Sequence, residues 1–164
     1  MPRLELRRSV RAILVDEDDH VLLCCHDLTS RGGPVVWAMP GGGVEPGESD
    51  LTALRRELDE EVGLALRDDP LHVWHQEVRG PDYADGHDGV INDYFLIRTP
   101  RFAPRGSWTD RQLAAENITR FRWWTVADIA AHGGEEVFSP RALADRLRSL
   151  LTDGLPAEPI PMGL

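Results

Sequence analysis

Residues 41–64 read GGGVEPGESDLTALRRELDEEVGL, a Gly- and Pro-rich loop that turns into a short helix. Ser49 and Asp50 are the candidate N-caps, since a short polar side chain there can accept from the first free backbone N–H groups. Gly63 stands where a helix ends on a residue with positive φ. The spacing predicts a helix over about residues 50–62.

On a wheel of about 100° per residue, Leu54, Leu58 and Val62 fall within about 60° of Leu51 and form one apolar stripe. Ala53, Glu57, Glu60 and Glu61 occupy an arc roughly 100° wide beside that stripe, so three carboxylates are held at the edge of the packing. This is costly for an empty helix. Like charges at i,i+4 cost a few tenths of a kcal/mol, and anions in the last turn oppose the helix dipole by about 0.3–1 kcal/mol each. Arg55 can reach Asp59 and Arg56 can reach Glu60, both in the weaker orientation. An acidic helix edge is ordinarily a solvated face. Here the glycine loop, a fourth acid at Glu48 and the conflict with the dipole point instead to a bound cation, and hard oxygen donors suit Mg²⁺ or Mn²⁺.

Gly42, five residues, Glu48, seven residues and then Arg56-Glu57-Leu58-Asp59-Glu60-Glu61-Val62-Gly63-Leu64 resembles a complete Nudix box, with Trp37-Ala38-Met39-Pro40-Gly41 resembling the usual approach to it. The resemblance is to the Nudix hydrolase family. It implies an α/β fold, a Nudix-type α/β/α sandwich with a mixed β-sheet between helices. It also implies divalent-metal-dependent hydrolysis of a pyrophosphate bond in a nucleoside diphosphate linked to another moiety, such as an ADP-ribose-like compound, a dinucleotide or a modified nucleoside triphosphate. The cofactor expected is Mg²⁺ or Mn²⁺. The metal ligands expected are Glu57, Glu60 and Glu61, with the backbone carbonyl of Gly41 and Glu48 added by the resemblance. A noncatalytic nucleotide-binding sensor on the same fold is the alternative, although degenerate boxes usually accompany that role and this one is intact.

The remaining site residues follow from chemistry. Glu57 is the candidate general base for a metal-activated water. Arg56 orients the glutamates by ion pairing, Gly42, Gly43 and Gly47 let the loop take positive φ and approach phosphate, and Gly41, Gly42 and Gly43 are the candidate cofactor-binding residues. Glu116, in a loop shortly before Phe121-Arg122-Trp123-Trp124, is a further candidate ligand or base by resemblance. Trp37, Tyr83, Trp123 and Trp124 can stack on a base, but core packing is the better expectation for each. His72, His75 and His87 show no ligand spacing beyond one i,i+3 pair, and that pair falls on opposite faces of a regular strand, so no metal is assigned to them.

Bulk properties agree with one globular domain over residues 1–153, followed by a Pro-rich, frayed tail over residues 154–164. The formal charge of −10 argues against nucleic-acid polymers and anionic membranes, leaving a small-molecule nucleotide as the partner. Arg supplies all 18 basic residues. Cys24 and Cys25 are adjacent and point to opposite faces of a strand, so a reducing cytoplasm is expected, with no spanning segment. Homodimerisation is implied only by resemblance.

Along the chain, strands are expected at residues 9–15, 20–25, 35–39, 71–78, 89–99 and 118–125, with 89–99 inside the sheet. Residues 100–112 read as a loop. Helix is expected from Asp128, and again from Ser139-Pro140 to about Thr152.

Overall fold

The computed structural model describes residues 3–164, so residues 1 and 2 of the expected domain lie outside the described residues. The elements are β1 (Leu6–Val15), β2 (Val21–Asp27), β3 (Val35–Ala38), β4 (Gly41–Gly43), α1 (Asp50–Glu61), β5 (Leu71–Arg79), β6 (Gly89–Arg98), α2 (Asp110–Ala115), β7 (Ile118–Trp124), α3 (Val126–Ala131), β8 (Val137–Ser139), α4 (Leu143–Thr152) and β9 (Ile160–Met162).

Alternation in β1 sets the layers. Val10, Ala12 and Leu14 face α1 and pack with Leu54, Leu58 and Val62. Ile13 and Val15 face the other way, into a core shared with Ile129 of α3 and Leu143, Leu147 and Leu150 of α4. The result is the expected helix–sheet–helix sandwich.

The sheet is mixed, in the order β8-β3-β2-β1-β6-β5-β9, with β4 beside β1 and β7 beside β2. β6 runs parallel to β1 along its whole length, from Leu6↔Gly89 to Val15↔Arg98, and lies inside the sheet as its apolar sequence requires. β1 and β2 register only at Val15↔Val21, next to their turn, where Asp16 Oδ1 accepts from the N–H groups of Asp18 and His20 at 2.9 and 2.8 Å. Beyond that point the two strands part. β1 takes β4 as its antiparallel neighbour and β2 takes β7. The glycine strand β4 is thereby set against β1 at the foot of α1.

Several boundaries differ from expectation. Residues 41–43 pair as a strand rather than looping, since glycine without a side chain can lie flat against Ser9, Val10 and Arg11. Residues 110–115 are helical, opened by a capping box between Thr109 and Gln112. Ser139 does not cap the last helix, because it ends β8 opposite Ala38, and α4 starts at Leu143.

Part of the expected tail joins the sheet. Ile160–Met162 pairs in parallel with β5, buries Met162, and Gln76 Nε2 donates to the Gly163 carbonyl at 2.7 Å. The open edge of β5 supplies partners that the prolines alone do not reveal. Finally, β5 carries a bulge between His72 and Trp74, so the i,i+3 histidines share one face instead of opposing each other.

α1 begins and ends as its sequence predicts. Ser49 accepts from Thr52 N–H at 3.2 Å, and Gly63 has φ +78° with its N–H donating to Leu58 O at 2.8 Å. A Cβ on Gly63 would also collide with the carbonyl of Arg105. Gly63→Ala is therefore expected to lower stability by about 2–4 kcal/mol. Urea unfolding checks it: the midpoint falls while the m-value stays constant.

Candidate metal centre and active site

α1 meets β4 through its acidic edge. Glu57 and Glu61 are buried, at 6% and 4% exposure, and Glu60 is half-buried. Gly41 N–H donates to Glu61 Oε2 at 3.1 Å. Gly42 lies directly beneath Glu57, and a Cβ there would sit 2.5 Å from Oε1 and 2.9 Å from Oε2. Its backbone tolerates any residue, so the glycine is required by the carboxylate and not by the turn. Gly42→Ala is expected to keep the fold and displace the Glu57 carboxylate, weakening Mn²⁺ binding on the order of tenfold or more. Calorimetry with unchanged thermal melting checks it.

Arg56 gathers the acids. Its Nη1 donates to Glu57 Oε1 at 3.0 Å and to Glu60 Oε2 at 3.4 Å. Its Nη2 reaches the Gly43 carbonyl at 3.0 Å and Glu48 Oε1 at 2.8 Å, while Nε holds Glu48 Oε2 at 2.9 Å. Both Glu48 oxygens are thus engaged in a guanidinium fork, and the Glu45 N–H donates to Oε1 as well. Those hydrogen bonds from Arg56, then Glu45, hold the Glu48 carboxyl down at about 2. The stability it contributes is present above the ordinary 4.5 and is lost as pH falls toward 2.

Arg11 of β1 enters the site from below. Its Nη1 donates to the carbonyls of Met39 and Gly41, each at 3.2 Å. His26 lies nearby. Burial first, and the Arg11 charge second, push it down to about 4, so it is neutral at pH 7 and its Nδ1 donates to Glu116 O at 3.2 Å. Neither Arg11 nor His26 is singled out by the sequence reading. The available signal is an arginine inside the otherwise apolar run of β1. Glu116 caps α2 with an exposed side chain, yet its charge is felt at Glu61.

Burial is the main cause raising the proton affinity of Glu57, Glu60 and Glu61. Glu61 is pushed up to about 8, with the Glu57 charge as the second cause, against the lowering effects of Arg11 and the Gly41 N–H. Two buried carboxylates that repel one another lack a full counter-charge. A hard divalent cation would supply it, and the donor set of carboxylate oxygens beside the Gly41 carbonyl fits one.

The aromatic candidates divide. Trp37 and Trp124 are core residues, packed edge-on at 5.0 Å between centroids. Trp123 is half-buried with its Nε1 donating to Phe102 O at 3.1 Å, and Tyr83 is 46% exposed. A cavity of about 670 Å³ between residues 64–71 and 96–100 contains none of the α1 carboxylates, so chemistry rather than volume marks the site.

Comparison with known proteins agrees with this geometry. The NUDIX domain model matches residues 5–145. The nucleoside triphosphatase NudI of Salmonella agona (strain SL483) is 39% identical over 93 residues, which are 56% of this chain and 66% of that protein, just under two thirds of its length. A NUDIX hydrolase from Nitrosomonas europaea superposes with a TM-score of 0.65 at 20% identity, covering 93% of this chain and 94% of that one. The NUDIX domain of Shewanella oneidensis NrtR, solved with ADP ribose, gives 0.64 at 18% identity, covering 92% and 91%. The two structural likenesses carry the fold, and the match over residues 5–145 carries more: the chain belongs to the NUDIX domain family.

Proposed function

We propose that this chain is a divalent-metal-dependent hydrolase that cleaves a pyrophosphate bond of a nucleotide, with nucleoside triphosphates as the leading substrate class. The buried Glu57–Glu61 pair beside Gly41 is the observation that supports it most directly. The substrate class rests on the relative that is 39% identical over 93 residues, whose name describes a nucleoside triphosphatase. An ADP-ribose-like substrate is the second class, favoured by the NrtR domain solved with ADP ribose.

Glu57, Glu61, Glu60 and the Gly41 carbonyl would hold Mg²⁺ or Mn²⁺. Such an ion, when bound, neutralises phosphoryl oxygens and makes a water more acidic. The chain does the rest. Arg56 fixes the rotamers of Glu57 and Glu60, and Glu48 anchors Arg56 rather than joining the ligands. Arg11 adds positive charge under the Gly41 carbonyl, offsetting locally a net charge that would repel phosphate. Glu57, held through one oxygen by Arg56, accepts the proton of the attacking water. Attack on one phosphorus breaks the bridging P–O bond and leaves two phosphorylated products. Glu116 stands close enough to influence Glu61 and is kept as an auxiliary acid.

The buried, unpaired thiols of Cys24 and Cys25 fit a reducing compartment, and the cytoplasm is our placement. Among the described residues, no helix is long and apolar enough to cross a membrane. Mg²⁺-dependent hydrolysis of a panel of nucleoside triphosphates, ADP-ribose and dinucleotides tests the proposal. Two phosphorylated products from at least one substrate are expected. Tight nucleotide binding in Mg²⁺ with no product formed would contradict it and favour the sensor.

A further inference from the structure

The bulge in β5 places Val73 and Trp74 consecutively in the core on the α4 side of the sheet. His72 and His75 therefore emerge together on the face that carries α1. There they meet Asp93 of β6, which registers opposite His75. His75 Nδ1 stands 2.6 Å from Asp93 Oδ1, and His72 Nε2 stands 2.9 Å from the same oxygen. The three donor atoms all lie within 4.8 Å of one another.

Asp93 is buried, at 5% exposure, whereas the imidazoles are about a third exposed and open toward solvent. The His72 ring is fixed by stacking on Phe95, at 4.9 Å between centroids and 23° between planes. Its Nε2 also approaches Trp74 O at 3.1 Å, a contact that an incoming ion would replace. Among the described residues, the nearest cation does not close the cluster. Arg8 Nη2 is 4.0 Å from Asp93 Oδ2, while its 3.0 Å contacts go to both oxygens of Asp50.

We propose that His72, His75 and Asp93 form a second metal site, separate from the α1 carboxylates and selective for a borderline first-row cation of the Zn²⁺ type. Two imidazole nitrogens and one carboxylate suit such an ion, whereas Mg²⁺ prefers an all-oxygen octahedral shell. Three protein ligands leave a solvent-side position for water. As the ion enters, each coordinating nitrogen loses its proton to solvent and the neutral ring carries its one N–H on the far nitrogen.

The ligands stand on two paired strands, so the ion would clamp β5 to β6. Asp93 registers with Val10, and Val10 with Gly42. The site is therefore two strand spacings, roughly 10 Å, from the glycine beneath Glu57. It does not depend on the proposed hydrolysis, which Mg²⁺ alone tests.

Zinc titration of the full chain in excess Mg²⁺ is the test, with Co²⁺ absorption as the spectroscopic readout. The Glu57→Gln/Glu61→Gln chain is expected to keep one Zn²⁺ equivalent and to give Co²⁺ bands of four- or five-coordinate form. His75→Gln, His72→Gln and Asp93→Asn are each expected to weaken zinc by about 100-fold or more, and His87→Gln to leave it unchanged. Circular dichroism of the metal-free variants separates lost ligation from lost folding, because the partly exposed histidines tolerate glutamine. Zinc affinity in the His75→Gln and Asp93→Asn chains equal to that of the wild type would overturn the proposal, and so would zinc that disappears only with Glu57 and Glu61.

Discussion

Glu61→Gln is expected to reduce kcat/KM by about 10³-fold while making the metal-free protein more stable at pH 8. The two effects share one cause. Glu61 is buried beside the Glu57 charge, and both raise its proton affinity. A carboxyl whose folded pKa is raised contributes stability that is complete below its ordinary 4.5 and is lost as pH rises through about 8. The metal-free wild type should thus weaken between pH 5 and pH 8, and Mg²⁺ should restore it most at the higher pH.

Glutamine mimics the protonated acid and can still accept from the Gly41 N–H, but cannot give a divalent cation a negative charge. Removing the penalty is worth on the order of a few kcal/mol, or about 5–10 °C in Tm for a chain of this size. Thermal melts in EDTA at both pH values, alongside turnover, check it. A pH slope identical to that of the wild type would contradict the burial account.

Arg56→Lys is expected to lose nearly as much as Arg56→Ala. The guanidinium spans Glu48, Glu57, Glu60 and the Gly43 carbonyl through three nitrogens. A lysine ammonium is a point charge and cannot hold Glu48 through a planar fork while reaching the other two acids. Arg56 is only a quarter exposed, and its removal leaves three partly buried carboxylates without their shared cation. The cost in the metal-free chain is about 2–3 kcal/mol, below the range for a fully buried pair. Activity should fall by about 10²-fold in kcat, since Glu57 and Glu60 lose their fixed rotamers. Added Mg²⁺ should recover much of the stability and little of the rate. Stability and rate recovering together would mean that Arg56 acts only through charge.

The sequence exposes α1 and its chemistry because a helix repeats every few residues, so caps, apolar stripe and acidic edge lie side by side in the chain. The six expected strands follow for the same local reason, although their ends shift by a few residues. Besides α2 and β8, three features escape. β4 is hidden because three glycines carry no alternation, and only Ser9, Val10 and Arg11 make them a strand. β9 is hidden because a short segment with a proline forms a strand only when β5 offers an edge. The shared face of His72 and His75 is hidden because a bulge is a property of pairing, set by how β5 meets β6 and not by the residues between the histidines. Arg11 and His26 belong to the same class, since their partners at Gly41 and Glu116 are 30 and 90 residues away.

Crystals soaked in Mn²⁺ and measured for anomalous scattering test the central claim most directly. The ion should appear between Glu57 and Glu61, within reach of Glu60 and the Gly41 carbonyl, and should vanish in Glu57→Gln/Glu61→Gln crystals. An α1 edge with no anomalous peak at saturating Mn²⁺, in crystals of a chain that still hydrolyses its nucleotide, would contradict it.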